Sequence, residues 1–255
     1  MVRWILGMVL AVALVGCGGG GGGSSAPAPA PVPQTSSAEG MWNGVSNTNT
    51  AIAGFILDDG TYYVAYTDPG ITTIKGVILG SSSAVNGVFT SVNAKDFYFG
   101  SNPYFSAASV TANYLAKQSM SGVFSRPDSS SLNFNATYDP RYENIPDLNK
   151  ASGSYRGDMV IGNKDSRPLV SSYNSLSVST TGEISGVHLL GCYVNGNATP
   201  RLRGNLFNVS LTFTGCGLEG QTLRGIMFSG TDKGSLFIVA PTSDMNGGFV
   251  FSGNK

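Results

Sequence analysis

The chain has few of the residues from which catalytic and metal sites are usually built. Among 255 residues it has one histidine and three cysteines, only 12% are charged, and the formal net charge is zero. This charge balance gives no attraction toward nucleic acid, so we predict no nucleic-acid partner. His188 is the only candidate base for a Ser-His-Asp triad, and alternation along its predicted strand would expose it to solvent. The sequence has no C-x-x-C motif that could bind a metal together with this histidine. We predict no enzyme activity, no metal and no cofactor.

Carboxylates and glycines give no catalytic motif either. Asp58 and Asp59 are adjacent at a predicted turn, where aspartate is favoured for backbone reasons, so a glycosidase pair is not indicated. The six consecutive glycines Gly18–Gly23 lack the Lys-Ser/Thr of a phosphate-binding loop. They are therefore interpreted as part of a flexible tether.

Long hydrophobic runs are also missing. The apolar segment Trp4–Val15 spans about 12 residues, below the roughly 20 needed to cross a bilayer, and matches the core of a signal peptide. After Cys17 come the glycines and then a stretch with proline at every second position from 27 to 33. Such a segment is flexible first and extended later. We predict a signal peptide at 1–16 and a tether at 17–38.

The residues Leu14-Val15-Gly16-Cys17 resemble the lipobox of bacterial lipoproteins. This resemblance implies cleavage before Cys17 and attachment of acyl chains such as palmitate to it, and hence a membrane partner through the lipid. Gly18 after the cysteine and the poly-glycine run resemble lipoproteins of the outer membrane, on either its periplasmic or its outer face. An ordinary signal peptide or a membrane anchor is the alternative.

The remaining sequence is typical of a secreted all-β protein, rich in glycine and with 10% aromatic residues. Short β-rich runs recur every 8 to 12 residues or so between turn residues, which predicts antiparallel meanders in barrels or sandwiches. Nine such runs precede Pro140, among them Gly87–Val92 and Phe97–Gly100, and eight follow residue 152. We predict one β-barrel at 39–140, a linker at 141–152 and a second barrel at 153–255, each of about eight strands. Asp59-Gly60 predicts a type I′ hairpin turn.

A Gly-x-aromatic-x-Gly pattern opens both halves of the chain, which indicates that the second half restarts the first. The two segments are Gly40-Met41-Trp42-Asn43-Gly44 and Gly153-Ser154-Tyr155-Arg156-Gly157. Glycine inside a strand indicates a bend or a close backbone approach. Chance similarity between glycine-rich strands is the alternative.

Cysteine usage agrees with export. If Cys17 carries lipid, Cys192 and Cys216 remain as an even pair in an oxidising compartment. We predict that they form a disulfide closing a loop of about 25 residues.

A wider resemblance starts at Glu39. The runs Gly40-Met41-Trp42-Asn43-Gly44, Leu57-Asp58-Asp59-Gly60 and Asn208-Val209-Ser210-Leu211-Thr212-Phe213 resemble an uncharacterised group of proteobacterial, chiefly betaproteobacterial, outer-membrane lipoproteins. The resemblance implies an exported lipoprotein and no catalytic residues. The barrels are similar in architecture to those of transferrin-binding-protein-like lipoproteins and of avidin or lipocalin-type proteins.

Aromatic residues give a nonspecific indication of a binding surface. Tyr62 and Tyr66 share a strand, and Tyr104 lies in a segment crowded with aromatic rings, which is typical of recognition surfaces. We predict these three tyrosines as ligand-binding residues; the alternative is that they fill barrel cores. Arg201, Arg203 and Arg224 could bind an anionic partner, or could form a solvated strand edge.

These observations favour a binding or scaffolding lipoprotein for a host protein, a small molecule or an envelope partner. A periplasmic protease inhibitor and a purely structural envelope protein are the other candidates.

Overall fold

A computed structural model describes residues 37–68, 73–100, 104–230 and 234–255. These residues belong to one compact unit. The predicted signal peptide, Cys17 and the tether up to residue 36 lie outside the described residues. Within the described ranges, no helix has the length and apolar character needed to span a membrane.

The first half forms a closed antiparallel barrel. Its strands are β1 Gly40–Ser46, β2 Ala51–Ile56, β3 Thr61–Thr67, β4 Ile74–Ser81, β5 Ser83–Val85, β6 Val88–Tyr98, β7 Phe105–Leu115, β8 Ser119–Ser125 and β9 Ser131–Asp139. Strand β1 pairs with both β2 and β9, and β4 pairs with β6, so eight strands close the ring while short β5 pairs only with β6.

The second half forms another closed barrel of eight antiparallel strands. They are β10 Gly153–Asn163, β11 Leu169–Val178, β12 Glu183–His188, β13 Cys192–Pro200, β14 Phe207–Thr214, β15 Thr222–Ser229, β16 Ser235–Pro241 and β17 Gly247–Asn254. The prediction of two consecutive all-β barrels is confirmed, and the closure of both sheets excludes sandwiches. Between the barrels lie a 3₁₀ turn, Pro140–Glu143, and a one-turn helix α1, Leu148–Ala151.

Two local predictions differ from the structure. Gly87–Val92 and Phe97–Gly100 were predicted as separate strands, but β6 runs through both, with a bulge between Ser91 and Ala94. The bulge breaks the period-2 pattern without ending the strand. At Asp59-Gly60, only Gly60 has a positive φ, +82°, and its N–H donates to the Leu57 carbonyl at 3.0 Å. The turn is therefore a type I turn followed by a left-handed glycine, not type I′.

The two barrels open in the same way. The Trp42 indole N–H donates to the Ala38 carbonyl at 3.0 Å, and the Tyr155 hydroxyl donates to the Ala151 carbonyl at 2.6 Å, each four residues upstream. Two residues further on, a methyl group at Gly44 or at Gly157 would lie 2.0 Å from a carbonyl oxygen of the last strand of the same barrel. The repeated pattern thus marks equivalent positions, where the first and last strands approach closely.

The interiors of the two barrels differ. The second barrel is filled by large side chains that are at most 1% exposed: Tyr155, Met159, Ile161, Leu176, Phe207, Leu211, Phe249 and Phe251. The interior of the first barrel has smaller residues at several positions, among them Ala94, Ala108, Ala112 and Ala136. The first barrel leaves a large internal cavity.

The barrels pack against each other through their outer faces. A shared apolar cluster joins both, and the rings of Phe55 and Phe228 lie 5.2 Å apart within it. At its edge Arg201 pairs with Asp58 at 2.6 Å and Arg203 pairs with Glu39 at 2.8 Å. The predicted strand edge is wrong, because β13 ends at Pro200, before either arginine. Binding of an anionic partner by Arg201 and Arg203 stays a prediction.

Candidate ligand cavity in the first barrel

The interior of the first barrel encloses a cavity of about 600 Å³. This volume lies within the range of about 300 to 1,000 Å³ found for small-molecule sites. Side chains that alternate inward along the strands form its wall, and the middle of the wall is apolar: Ile52, Gly54, Val64, Ile78, Val110, Phe124, Leu132 and Phe134.

One end of the cavity is closed by aromatic and apolar side chains. Trp42, Tyr62, Phe89 and Met120 each lie near the start of a strand, namely β1, β3, β6 and β8. These four strands run in the same direction, because each is separated from the next by one antiparallel strand around the ring. The rings of Tyr62 and Phe89 meet edge to face with centroids 5.5 Å apart. We call this end the floor.

The opposite end is polar, and we call it the mouth. Here the same strands end, which places Tyr66, Asp96 and Arg126 together. The Asp96 side chain is 1% exposed and accepts three hydrogen bonds, from the Tyr66 hydroxyl at 2.7 Å and from Arg126 Nε and Nη2 at 2.8 and 2.6 Å. Burial and the neighbouring Asp96 carboxylate raise the pKa of Tyr66, so its hydroxyl is a neutral donor.

Three further mouth residues complete the polar end. Asp68 lies 3.6 Å from the Lys75 ammonium, and both are partly exposed. Asp128 is exposed, and hydrogen bonds from Ser130 and the nearby Arg126 charge lower its pKa. The Thr67 hydroxyl oxygen is buried and has no hydrogen-bond partner. A buried hydroxyl without a partner costs about 1 to 3 kcal/mol, so Thr67 is a point where a ligand or water is expected to bind.

The structure places two of the three predicted tyrosines in the wall. Tyr62 lies at the floor and donates to Ser91 at 2.9 Å; burial raises its pKa to about 12. Tyr66 lies at the mouth. Tyr104 does not belong to the described lining residues; it is half-buried beside β7. A role for these tyrosines in binding stays a prediction.

Sequence reasoning missed Asp96 and Arg126. A signal existed for Asp96, because it is a carboxylate followed directly by two aromatic residues in Asp96-Phe97-Tyr98. Arg126 lies 30 residues away in the chain, and the antiparallel order β6-β7-β8 brings the two side chains to the same end of the barrel.

The prediction that His188 is exposed is wrong. Its side chain is fully buried, whereas its neighbours Val187 and Leu189 are 45% and 66% exposed. Side chains alternate between the two faces of β12 as predicted, but the apolar neighbours point outward and the histidine points into the second barrel. Its Nδ1 accepts from the Leu190 N–H at 3.1 Å, and its Nε2 lies 3.1 Å from the Ser171 hydroxyl. Burial lowers the pKa of His188, which favours the neutral imidazole.

Cys192 and Cys216 form a disulfide, with Cα atoms 5.1 Å apart. It joins the start of β13 to the loop between β14 and β15, at one end of the second barrel. Within the described part of the chain, no three or more histidine, cysteine or acidic side chains cluster as a metal site would require.

Arg224 is exposed on β15, where it pairs in register with Ser210.

No protein-family model matches the chain, and no curated protein sequence matches it. Among solved structures, a transferrin-binding protein B from Haemophilus parasuis is similar over 80% of this chain, with 9% identity and a TM-score of 0.28. This chain spans 65% of the length of that protein. HpuA from Kingella denitrificans, solved in complex with human haemoglobin, is similar over 86% of this chain and 89% of its own, with 12% identity and a TM-score of 0.31. A protein of unknown function from Nostoc punctiforme is similar over 85% of this chain and 94% of its own, with 11% identity and a TM-score of 0.29. Likenesses at this level do not assign a function to this chain.

Proposed function

We propose that this protein is a lipid-anchored binding protein of the bacterial outer membrane, and that its first barrel binds a small, largely apolar molecule. The observation that carries the proposal is the cavity of about 600 Å³ inside that barrel. A mostly apolar wall with a few convergent polar groups is the usual composition of a small-molecule site.

The second barrel supports the proposal as an internal comparison. Both barrels have eight strands and open on equivalent aromatic and glycine residues, yet large side chains fill the second one. The cavity is therefore not imposed by the architecture. Unfilled volume lowers stability roughly in proportion to its size, so a cavity retained in one of two similar barrels favours a binding role for it.

The membrane anchor rests on the sequence alone. Leu14-Val15-Gly16-Cys17, the short apolar segment before it and the glycine run after it support lipidation of Cys17 and export to the outer membrane. Cells grown with labelled palmitate should yield labelled protein, and the Cys17→Ala variant should stay unlabelled. Label on the variant would refute anchoring at Cys17. Protease treatment of intact and permeabilised cells then distinguishes the outer face from the periplasmic face.

Binding is tested with the uncharged apolar dye N-phenyl-1-naphthylamine, whose fluorescence rises in apolar surroundings. The protein used in this assay begins at Gly18 and so retains the whole compact unit. We expect saturable binding, and we expect the double variant Val64→Phe/Val110→Phe, which fills the cavity wall, to weaken it at least about tenfold.

The matched control is Val45→Phe. Val45 is 52% exposed on the outside of the same barrel, so this change adds the bulk of one of the two substitutions without entering the cavity. Equal binding by the original protein, the double variant and the control would show that the dye binds elsewhere, and would refute the proposed function.

A further inference from the structure

The two ends of the cavity suit the two ends of an amphiphile. The floor is formed by Trp42, Phe89 and Met120, with the Tyr62 hydroxyl already bound to Ser91. A polar group placed there would lose hydrogen bonds to water without finding new partners. An alkyl chain placed there would gain apolar contacts at no such cost.

Among its described residues, the mouth offers hydrogen bonds but no unpaired cation. Arg126, the one cation among the described lining residues, donates two hydrogen bonds to Asp96 and has Asp128 nearby. Asp68 also lines the mouth, paired with Lys75. The three aspartates outnumber the two cations, so a carboxylate brought to this end meets a net negative charge. A hydroxyl or an ammonium group does not meet that repulsion.

Thr67 gives an independent indication that a polar group binds here. Its buried hydroxyl lines the mouth and has no partner. It can donate to a ligand oxygen or accept from a ligand hydroxyl, which would remove the cost of its burial.

We propose that the cavity binds an amphiphile tail first, and that the polar end held at the mouth is uncharged or cationic rather than a carboxylate. This inference rests on the proposed function, because it names the ligand class of the same cavity.

A single tryptophan makes the orientation measurable. The chain has two tryptophans, and Trp4 lies in the predicted signal peptide, so protein beginning at Gly18 retains only Trp42, at the floor. Bromine quenches tryptophan fluorescence only at short range. The probes are 11-bromoundecanol, (11-bromoundecyl)trimethylammonium and 11-bromoundecanoate at pH 8, each with bromine at the end of the tail and each below its micelle concentration.

We expect the alcohol and the ammonium probe to quench Trp42 with saturation, and the carboxylate probe to bind at least about fivefold more weakly. Equal or tighter binding of the carboxylate would overturn the inference about the polar end. Displacement of N-phenyl-1-naphthylamine by these probes without quenching of Trp42 would overturn the tail-first orientation. In both cases dye binding itself persists, so the proposed function survives; if neither dye nor probes bind, the proposed function fails as well.

A charge change at the mouth provides the second test. Asp128 is exposed, so Asp128→Lys is expected to leave the fold intact, and it should improve binding of the carboxylate probe about fivefold at low salt. Asp165→Lys makes the same charge change at an exposed site on the second barrel, and should leave the preference unchanged. No change with Asp128→Lys, or an equal change with both variants, would contradict an electrostatic selection at the mouth.

Discussion

A valine-to-phenylalanine change should have opposite effects on the free energy of unfolding in the two barrels. Val110 lines the cavity of the first barrel, whereas Val209 is 3% exposed inside the filled second barrel. Val110→Phe extends a side chain into existing space. Val209→Phe extends one into a packed core, next to neighbours that have no room to move.

The magnitudes follow from the packing. Phenylalanine adds about four carbons to valine, and at about 0.8 kcal/mol for each buried carbon group the gain in the first barrel is at most about 3 kcal/mol. Lost rotamer freedom and imperfect contacts remove about 1 kcal/mol or more of this gain. We therefore expect Val110→Phe to raise the free energy of unfolding by about 1 kcal/mol. Overpacking at Val209 should lower it by about 1 to 3 kcal/mol.

The assay is urea unfolding of each variant, followed by the fluorescence of Trp42 for the first barrel and by circular dichroism for the whole chain. The barrels share an apolar cluster, so both probes are needed to decide whether they unfold together. If Val110→Phe destabilised the protein as much as Val209→Phe, the cavity would not exist in solution, and the reasoning behind the proposed function would be refuted.

Three further outcomes are expected. Gly44→Ala should lower the free energy of unfolding by about 3 kcal/mol in urea titrations, because its methyl group would meet a backbone carbonyl. The control Gly186→Ala, whose methyl group would have its nearest contact 3.3 Å away, should change it by no more than about 1 kcal/mol. Replacing Cys192 and Cys216 by alanine should cost about 3 kcal/mol, measured by thermal unfolding under non-reducing conditions, because they close a loop with a sequence separation of 24 residues. Burial lowers the pKa of His188 in the folded state, so the unfolded chain binds a proton more readily below a pH of about 6.5. The free energy of unfolding should therefore fall by at most about 1 kcal/mol as the pH decreases from there to about 5.5. Urea titrations of His188→Gln at both pH values should lack this decrease.

Most of the architecture could be predicted from the sequence because strands and turns are local features. Period-2 alternation and regularly spaced turn residues located all eight strands of the second barrel and most of those in the first. The bulge in β6 was missed because one extra residue reverses the alternation, which looks like the end of one strand and the start of another.

The site was harder to predict because it depends on contacts between side chains of different strands. Alternation assigns Tyr62 and Tyr66 to one face of β3, but not whether that face surrounds a cavity or a packed core. Asp96 and Arg126 are 30 residues apart, and their contact depends on β8 lying near β6 around the ring. The predicted exposure of His188 was wrong for a similar reason, because alternation does not decide which face of β12 points into the barrel. Its apolar neighbours Val187 and Leu189 lie on the outer face.

The second barrel supports the cavity of the first from outside. Strand β3 is apolar on both faces: Tyr62 points into the cavity, while its neighbour Tyr63 packs in the cluster shared with the second barrel. Strand β4 repeats this arrangement, with Ile78 in the cavity wall and Leu79 in the shared cluster. Because a hollow barrel lacks the internal packing that normally fixes its strands, contacts on the outer face have to supply part of that stability. The filled barrel therefore has a structural role in the proposed binding function, even though none of its residues lines the cavity among those described.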